Sequence, residues 1–233
     1  DCSSRGLGDV YKRQQWGWDM VDNEALADDD QFTTGSFSHG THVGSTISML
    51  NDGLDGNGMA ARVTPIRVCA GGCPGSATYG AYLYLNGDAN DSLTTFAQRS
   101  AGQKLHSVNM SYGGSGGSAT SASCVKLGEL ADKGVLIASS SGNSGIGSVG
   151  WPSSCPKVYS VGATNGTDRR SSYSSTNEYV AFSAPGGEYS DWNADGIDDL
   201  VYGLDVERLV KQFFFFFRDL LFFTQHFLTG SHV

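Results

Sequence analysis

The sequence predicts an α/β domain: a mainly parallel central sheet with helices on both faces, three layers (α/β/α) in all. Three observations lead there. Short apolar, β-branched runs recur through the middle of the chain. Segments of helical period lie between them. Turn signals are dense, with 32 Gly among 233 residues and only 5 Pro. Strand and helix in alternation call for crossover connections, and these build parallel sheets covered on both sides. In such sheets the functional site lies beyond the carboxyl ends of the strands.

The elements follow in chain order. Residues 41–50 form a helix with Val43, Ile47 and Leu50 on one face. Residues 63–69 read as a buried strand, and 76–99 supply another helix. A second strand covers 105–110. The helix at 123–133 turns Val125, Leu127, Leu130 and Ala131 inward and stops at Gly134, a natural cap. Residues 135–139 and 158–162 complete the strands.

The two ends differ from this middle. Residues 1–14 show no apolar periodicity, and their string SSRGLGDVYKRQ reads as translated adapter sequence, set aside from fold reasoning. From about Leu204 onward the chain holds eight of its 12 Phe, five of them consecutive. Lys211, Arg218 and Asp219 interrupt every apolar run there, which argues against a membrane helix and for a slipped reading frame. The expected organisation is therefore a non-native segment at 1–14, a partial catalytic domain at 15–203 and a frame-shifted tail at 204–233.

Composition narrows the function. Hydrophobic content of 39% with 17% charged residues suits a chain with a real core. A net charge of −9 argues against nucleic acid, whose phosphates need a basic face. It suits an exported protein, or one that binds calcium. Of the five cysteines, Cys2 falls in the adapter-like segment, and none form the tandem pairs of a zinc ribbon. The other four make two disulfides in an oxidising compartment, or are buried thiols. No signal peptide is visible at the start of the sequence.

The chemistry concentrates in Ser38-His39-Gly40-Thr41-His42-Val43-Gly44. A histidine at a helix start is disfavoured as imidazolium by the positive end of the helix dipole. The neutral ring can take a proton, as a general base must. His39 and His42 at i, i+3 spacing could instead bind metal, although no His-Glu-x-x-His pattern accompanies them. Further blocks follow in order: 57–68, Val108-Asn109-Met110-Ser111-Tyr112-Gly113-Gly114, Ala138-Ser139-Ser140-Ser141-Gly142-Asn143-Ser144-Gly145, 158–163, 171–175 and Phe182-Ser183-Ala184-Pro185-Gly186. On these blocks the chain, from about residue 16 to 203, resembles the subtilisin-like serine proteases.

The resemblance implies roles. His39 would be the general base, and Asn143 would donate its amide to the oxyanion of the tetrahedral intermediate. Ser111, Tyr112 and Gly113 would pair with an extended substrate backbone, and Ser139, Ser140 and Ser141 would line the primary specificity pocket. For Asn143 the alternative from the residues alone is a turn residue. The family's Asp-Thr/Ser-Gly motif is missing upstream of His39, where Asp19 and Asp22 match the segment that follows it. The Gly-Thr-Ser-Met-Ala motif is missing too, and is expected just past Gly203. The implied protein is a secreted, monomeric serine endopeptidase acting on polypeptides, with no nucleic-acid or membrane partner. It is present as an incomplete, inactive fragment; a peptide-binding pseudoprotease is the alternative. Catalysis would need no cofactor. Asp191, Asn193, Asp195 and Asp199, alternating oxygen donors around Gly196, suggest structural Ca2+, or an acidic surface turn. Similar cysteines pair in some secreted members, which implies a disulfide between Cys124 and Cys155. Cys69 and Cys73 are close enough for a second.

Overall fold

The computed structural model describes residues 17–25, 27, 39–48, 58–59, 63–88, 104–114, 118–147, 149–176, 178–191, 194 and 199–201. Its elements are β1 (Trp18–Asp19), α1 (His39–Ser48), β2 (Ile66–Arg67), α2 (Gly75–Asn86), β3 (Ser107–Met110), α3 (Ala122–Asp132), β4 (Leu136–Ser140), β5 (Tyr159–Thr164) and β6 (Val180–Pro185). Every strand pair is parallel: β1 lies beside β2, and β3, β4, β5 and β6 form a second sheet in that order. The expected α/β architecture with a parallel sheet is present.

The expected strand at 63–69 contracts to Ile66–Arg67. Pro65 just before it has no N–H to give to a ladder. The helix expected at 76–99 ends at Asn86, because Gly87 at φ 83° turns the chain and donates its N–H to the Tyr84 carbonyl. Expected residues 89–99 lie outside the described ones. β1 and β6 are strands that periodicity did not show. β1 is only two residues long, and β6 lies at the end of its sheet with mostly exposed residues.

Two inward assignments need correction. Val125 on α3 is 51% exposed, whereas Leu127 and Leu130 are buried as expected. On α1 the buried residues are Ser45 and Ser48, not Val43 and Ile47, which are half-buried; Leu50 lies outside the described residues. Burial of these serines is cheap because Ser45 Oγ donates to the His42 carbonyl and Ser48 Oγ to the Gly44 carbonyl. Gly134, at φ 84°, closes α3 as the sequence suggests.

The main core gathers Tyr82, Met110, Leu127, Leu130, Val135 and Ile137 between α2, α3 and the larger sheet. A smaller cluster holds Trp18 and Tyr84 against Ile66. Leu85 and Leu105 pack against both clusters, so one apolar layer runs under both sheets. Buried Asp19 fastens β1 to β2: it pairs with Arg67, which also reaches Asp22 at 2.6 Å, and its Oδ1 accepts the N–H groups of Val21 and Asp22. Its carboxylate is thus fully used in holding the edge of the fold.

Both expected disulfides are formed, which overturns the free-thiol alternative. Cys124–Cys155 ties α3 to the turn before β5 across 31 positions, and Cys69–Cys73 closes the loop after β2 across 4. The loop-closure entropy removed from the unfolded chain is about 3–4 kcal/mol for the first and about 2 kcal/mol for the second. Urea titration of a Cys124→Ala/Cys155→Ala double variant should therefore show a stability loss of about 3–4 kcal/mol, against about half that for the Cys69/Cys73 pair. Equal losses would contradict the loop-length account.

Candidate active site

The register gathers loops at one edge. Met110 lies beside Ser139, Ser140 beside Val161, and Thr164 beside Pro185. Parallel strands end on the same side, so the loops beginning at Ser111, Ser141 and Asn165 leave the sheet together. This is the edge where a parallel sheet places ligands.

The loop after β3 is anchored on both sides. Ser111 Oγ accepts a hydrogen bond from Asn109 Nδ2 at 2.9 Å. The Tyr112 hydroxyl meets the Tyr82 hydroxyl of α2 at 2.9 Å, and both rings approach Trp151. Gly114 and Trp151 exchange N–H to carbonyl bonds at 2.9 and 3.0 Å. A Cβ on Gly113 would sit 2.8 Å from the Trp151 carbonyl oxygen, so a side chain there cannot be seated without moving backbone. The Tyr112 side chain is thus turned to Tyr82. Trp151 carried no sequence signal.

The loop after β4 carries Asn143. Gly142, at φ 105°, makes the turn, and Ser175 grips the turn through three hydrogen bonds. The Ser175 N–H donates to the Gly142 carbonyl (2.8 Å), its carbonyl accepts from Ser141 Oγ (2.8 Å), and its Oγ accepts from the Ser144 N–H (3.0 Å). Gly145 and Thr176 add backbone bonds on the far side. A Cβ on Gly142 would lie 3.1 Å from Ser175 Oγ.

Asn143 does not make this turn with its side chain. Its Oδ1 is buried and has no hydrogen-bond partner among the described residues. An asparagine serving a turn accepts a backbone N–H with that oxygen. An unmet buried acceptor costs about 1–3 kcal/mol, and such a group in a folded protein calls for an explanation. The Asn143 carboxamide is held in place by its backbone while its acceptor stays unused.

The serines divide. Ser141 donates to the Ser175 carbonyl, whereas the hydroxyls of Ser139 and Ser140 are buried without partners among the described residues. Of the residues the sequence singled out, Ser111, Tyr112, Gly113, Ser139, Ser140, Ser141 and Asn143 lie at this one edge of adjacent strands. His39 opens α1, half-buried, at the end where the dipole disfavours imidazolium. Asp191 and Asp199 are described; Asn193 and Asp195 lie outside the described residues. Among the described residues no three His, Cys, Asp or Glu side chains cluster as metal ligands. The segment carrying Asp191 and Asp199 is closed at its base by Gly187 and Leu200, paired antiparallel. Beside it, burial raises the affinity of Glu188 for a proton, but hydrogen bonds from the Ser172 hydroxyl and N–H and the Tyr189 N–H outweigh this and leave its carboxyl below the usual range.

Comparison with known proteins agrees with this geometry. The model of the subtilase family matches residues 4–214. Alkaline elastase YaB from a Bacillus species is 34% identical over 148 residues, covering 64% of this chain and 36% of that protein. Subtilisin Savinase from Lederbergia lenta is 31% identical over 151 residues, covering 64% of this chain and 50% of that protein. Among solved structures, a protease from Pseudoalteromonas arctica matches with a TM-score of 0.66 at 25% identity, over 78% of this chain and 60% of its own. A cold adapted subtilisin-like serine proteinase matches at 0.59 and 26%, over 76% of this chain and 57% of its own. The chain thus spans roughly a third to three fifths of the relatives it matches.

The tyrosine pair beneath the edge sets an alkaline limit. Burial pushes Tyr82 up to about 12, partly offset by its bond to Tyr112, and burial likewise raises Tyr112 well above its ordinary value. A raised folded value means stability is full below the unfolded value, near 10, and is lost as pH rises through the folded one. For Tyr82 alone the loss is on the order of 2–3 kcal/mol, and Tyr112 adds to it. Urea titrations at pH 9 and pH 12 should therefore differ by at least about 2 kcal/mol in the wild type, and by far less in Tyr82→Phe/Tyr112→Phe. An unchanged difference in the double variant would contradict this assignment.

Proposed function

Because this chain belongs to the subtilase family, we propose that it is part of a serine endopeptidase that cleaves polypeptides through an acyl-enzyme. The observation that carries the reading is the Asn143 carboxamide, fixed at the carboxyl edge of the sheet beside residues 111–113 with its Oδ1 unpartnered. In this reading the substrate backbone lies along the main chain of Ser111, Tyr112 and Gly113. The residue before the scissile bond enters beside Ser139 and Ser140. Asn143 donates from Nδ2 to the carbonyl oxygen as negative charge develops on it, a contribution that grows toward the transition state. His39, neutral at its helix start, takes the proton of the nucleophilic serine and later returns it to the leaving amine.

That serine and the carboxylate that orients His39 are not found in the matching motifs of this sequence, so the fragment itself should not hydrolyse peptides. Two disulfides support export to an oxidising space. We include structural Ca2+ at Asp191, Asn193, Asp195 and Asp199. The oxygen-only donor set in the sequence and the segment closed at Gly187 and Leu200 support it.

Three measurements check this. Reading the parent nucleotide sequence in its other frames after Tyr202 should restore a Gly-Thr-Ser-Met-Ala motif; an intact frame without that serine would favour a peptide-binding pseudoprotease. In the frame-restored protein, Asn143→Ala should lower kcat by about 10²–10³, a magnitude carried over from subtilisin, with little change in KM. A change in KM alone would put Asn143 in binding rather than catalysis. Chelation with EDTA should lower Tm by several degrees, and an unchanged Tm would remove calcium from the reading.

A further inference from the structure

Residues 171–175 form one of the blocks that stand out in the sequence, and the reaction proposed above gives them no task. Three of the five, Ser171, Ser174 and Ser175, are at most 1% exposed. Their hydroxyls are committed. Ser171 Oγ donates to the Gly187 carbonyl at 2.6 Å, and Ser174 Oγ accepts from the Ala163 N–H at 2.8 Å. Arg170 Nη1 donates to the carbonyls of Ser171 (2.9 Å) and Ser174 (2.7 Å). Ser172 gives its N–H and its hydroxyl to the two carboxylate oxygens of Glu188. The segment is therefore fastened to β5, to the residues after β6 and to itself before it meets the turn after β4.

Ser175 meets that turn on both sides of Asn143. Its N–H holds the Gly142 carbonyl at 2.8 Å, and its Oγ holds the Ser144 N–H at 3.0 Å. The first of these groups belongs to the peptide plane before Asn143, and the second to the plane after it. Each peptide group is planar and rigid. Fixing both planes fixes the backbone dihedrals of Asn143, and with them the direction in which its side chain leaves the chain. There is little slack: a Cβ on Gly142 would lie 3.1 Å from Ser175 Oγ, and Gly145 gives its N–H to the Tyr173 carbonyl at 2.9 Å. Of the three bonds from Ser175 to this loop, the one to Ser144 uses its side chain and the other two its main chain. A substitution can thus release one plane and leave the other held.

We propose that Ser175 is a positioning residue for the oxyanion-binding carboxamide: its hydroxyl, by holding the Ser144 N–H, aims Asn143 at the carbonyl under attack. This rests on the peptidase reading given above. Without the hydroxyl, the plane after Asn143 is free to tilt while the plane before it stays bound. The carboxamide then spends less of its time in line with the developing charge, and a preorganised donor loses much of its effect through small misplacement. The loss falls on the transition state, where the charge on oxygen is largest, and not on substrate held along residues 111–113.

The chain as it stands gives the first test. In Ser175→Ala, hydrogen–deuterium exchange at the Ser144 amide should quicken about tenfold or more, with the amides of β4 and β5 unchanged. The second test uses the frame-restored protein and a peptide p-nitroanilide. Ser175→Ala should lower kcat about tenfold and leave KM within about twofold. In an Asn143→Ala background the same change should alter kcat by less than about twofold, because the group it positions is gone. Ser175→Cys, whose sulfur is a weak acceptor in the same place, should fall between serine and alanine. Unchanged kcat in Ser175→Ala, or in Ser175→Cys where the alanine variant does not fold, would overturn the proposal. So would unchanged exchange at Ser144. An equal loss of kcat in both backgrounds, or faster exchange throughout β4 and β5, would overturn it by giving Ser175 a purely structural role. If the restored wild type cleaves no peptide, the peptidase reading fails and this proposal with it; the other outcomes leave that reading in place.

Discussion

Ser175 grips the turn after β4 from three directions, through its N–H, its carbonyl and its hydroxyl. The functional reading rests on that grip. The turn needs a residue at positive φ, and Gly142 supplies it. The turn also needs partners for the polar groups it withdraws from the sheet, and Ser175 supplies those. With the backbone settled in this way, the turn makes no use of Asn143 Oδ1. A carboxamide whose backbone is fixed is what preorganised stabilisation of a developing charge requires, because no reorganisation is then needed during reaction. Ser174 extends the same support one residue earlier, its hydroxyl accepting from the Ala163 N–H of β5.

The chemistry is polarised along the strands. The carboxyl ends of β3 and β4 carry the unpartnered hydroxyls, the Asn143 turn and the glycine that admits Trp151. Beneath them lie the Tyr82–Tyr112 pair and the leucines of α3. On the smaller sheet, the buried carboxylate of Asp19 is consumed by Arg67 and two backbone N–H groups. A carboxylate with so many partners holds structure and is not available to orient His39.

Much of this was legible in the sequence because the buried strands are apolar on both faces. Residues 135–139 and 158–162 read as strands for that reason, and Leu127 and Leu130 read as core. Gly134 was legible as a helix stop because only a residue tolerant of positive φ can end the helix there. Val125 misled because a β-branched residue at a nearly periodic position is not thereby buried. Ser45 and Ser48 were missed because a serine that bonds back to its own helix can be buried like an alanine. The motif blocks singled out Asn143 and residues 111–113, which follow the adjacent strands β4 and β3 at one edge. Ser175 and Trp151 were not seen as supports, since both act through contacts that span tens of residues and leave no local pattern.

The central claim is that a histidine at a helix start and an asparagine on a loop address the same peptide carbonyl. A crystal structure of the frame-restored protein with a peptide aldehyde bound tests it most directly. The account places Asn143 Nδ2 about 2.7–3.1 Å from the tetrahedral oxygen, with the His39 ring in hydrogen-bond reach of the serine attached to that carbon. Finding either residue on the opposite face of the sheet from the bound aldehyde would contradict it.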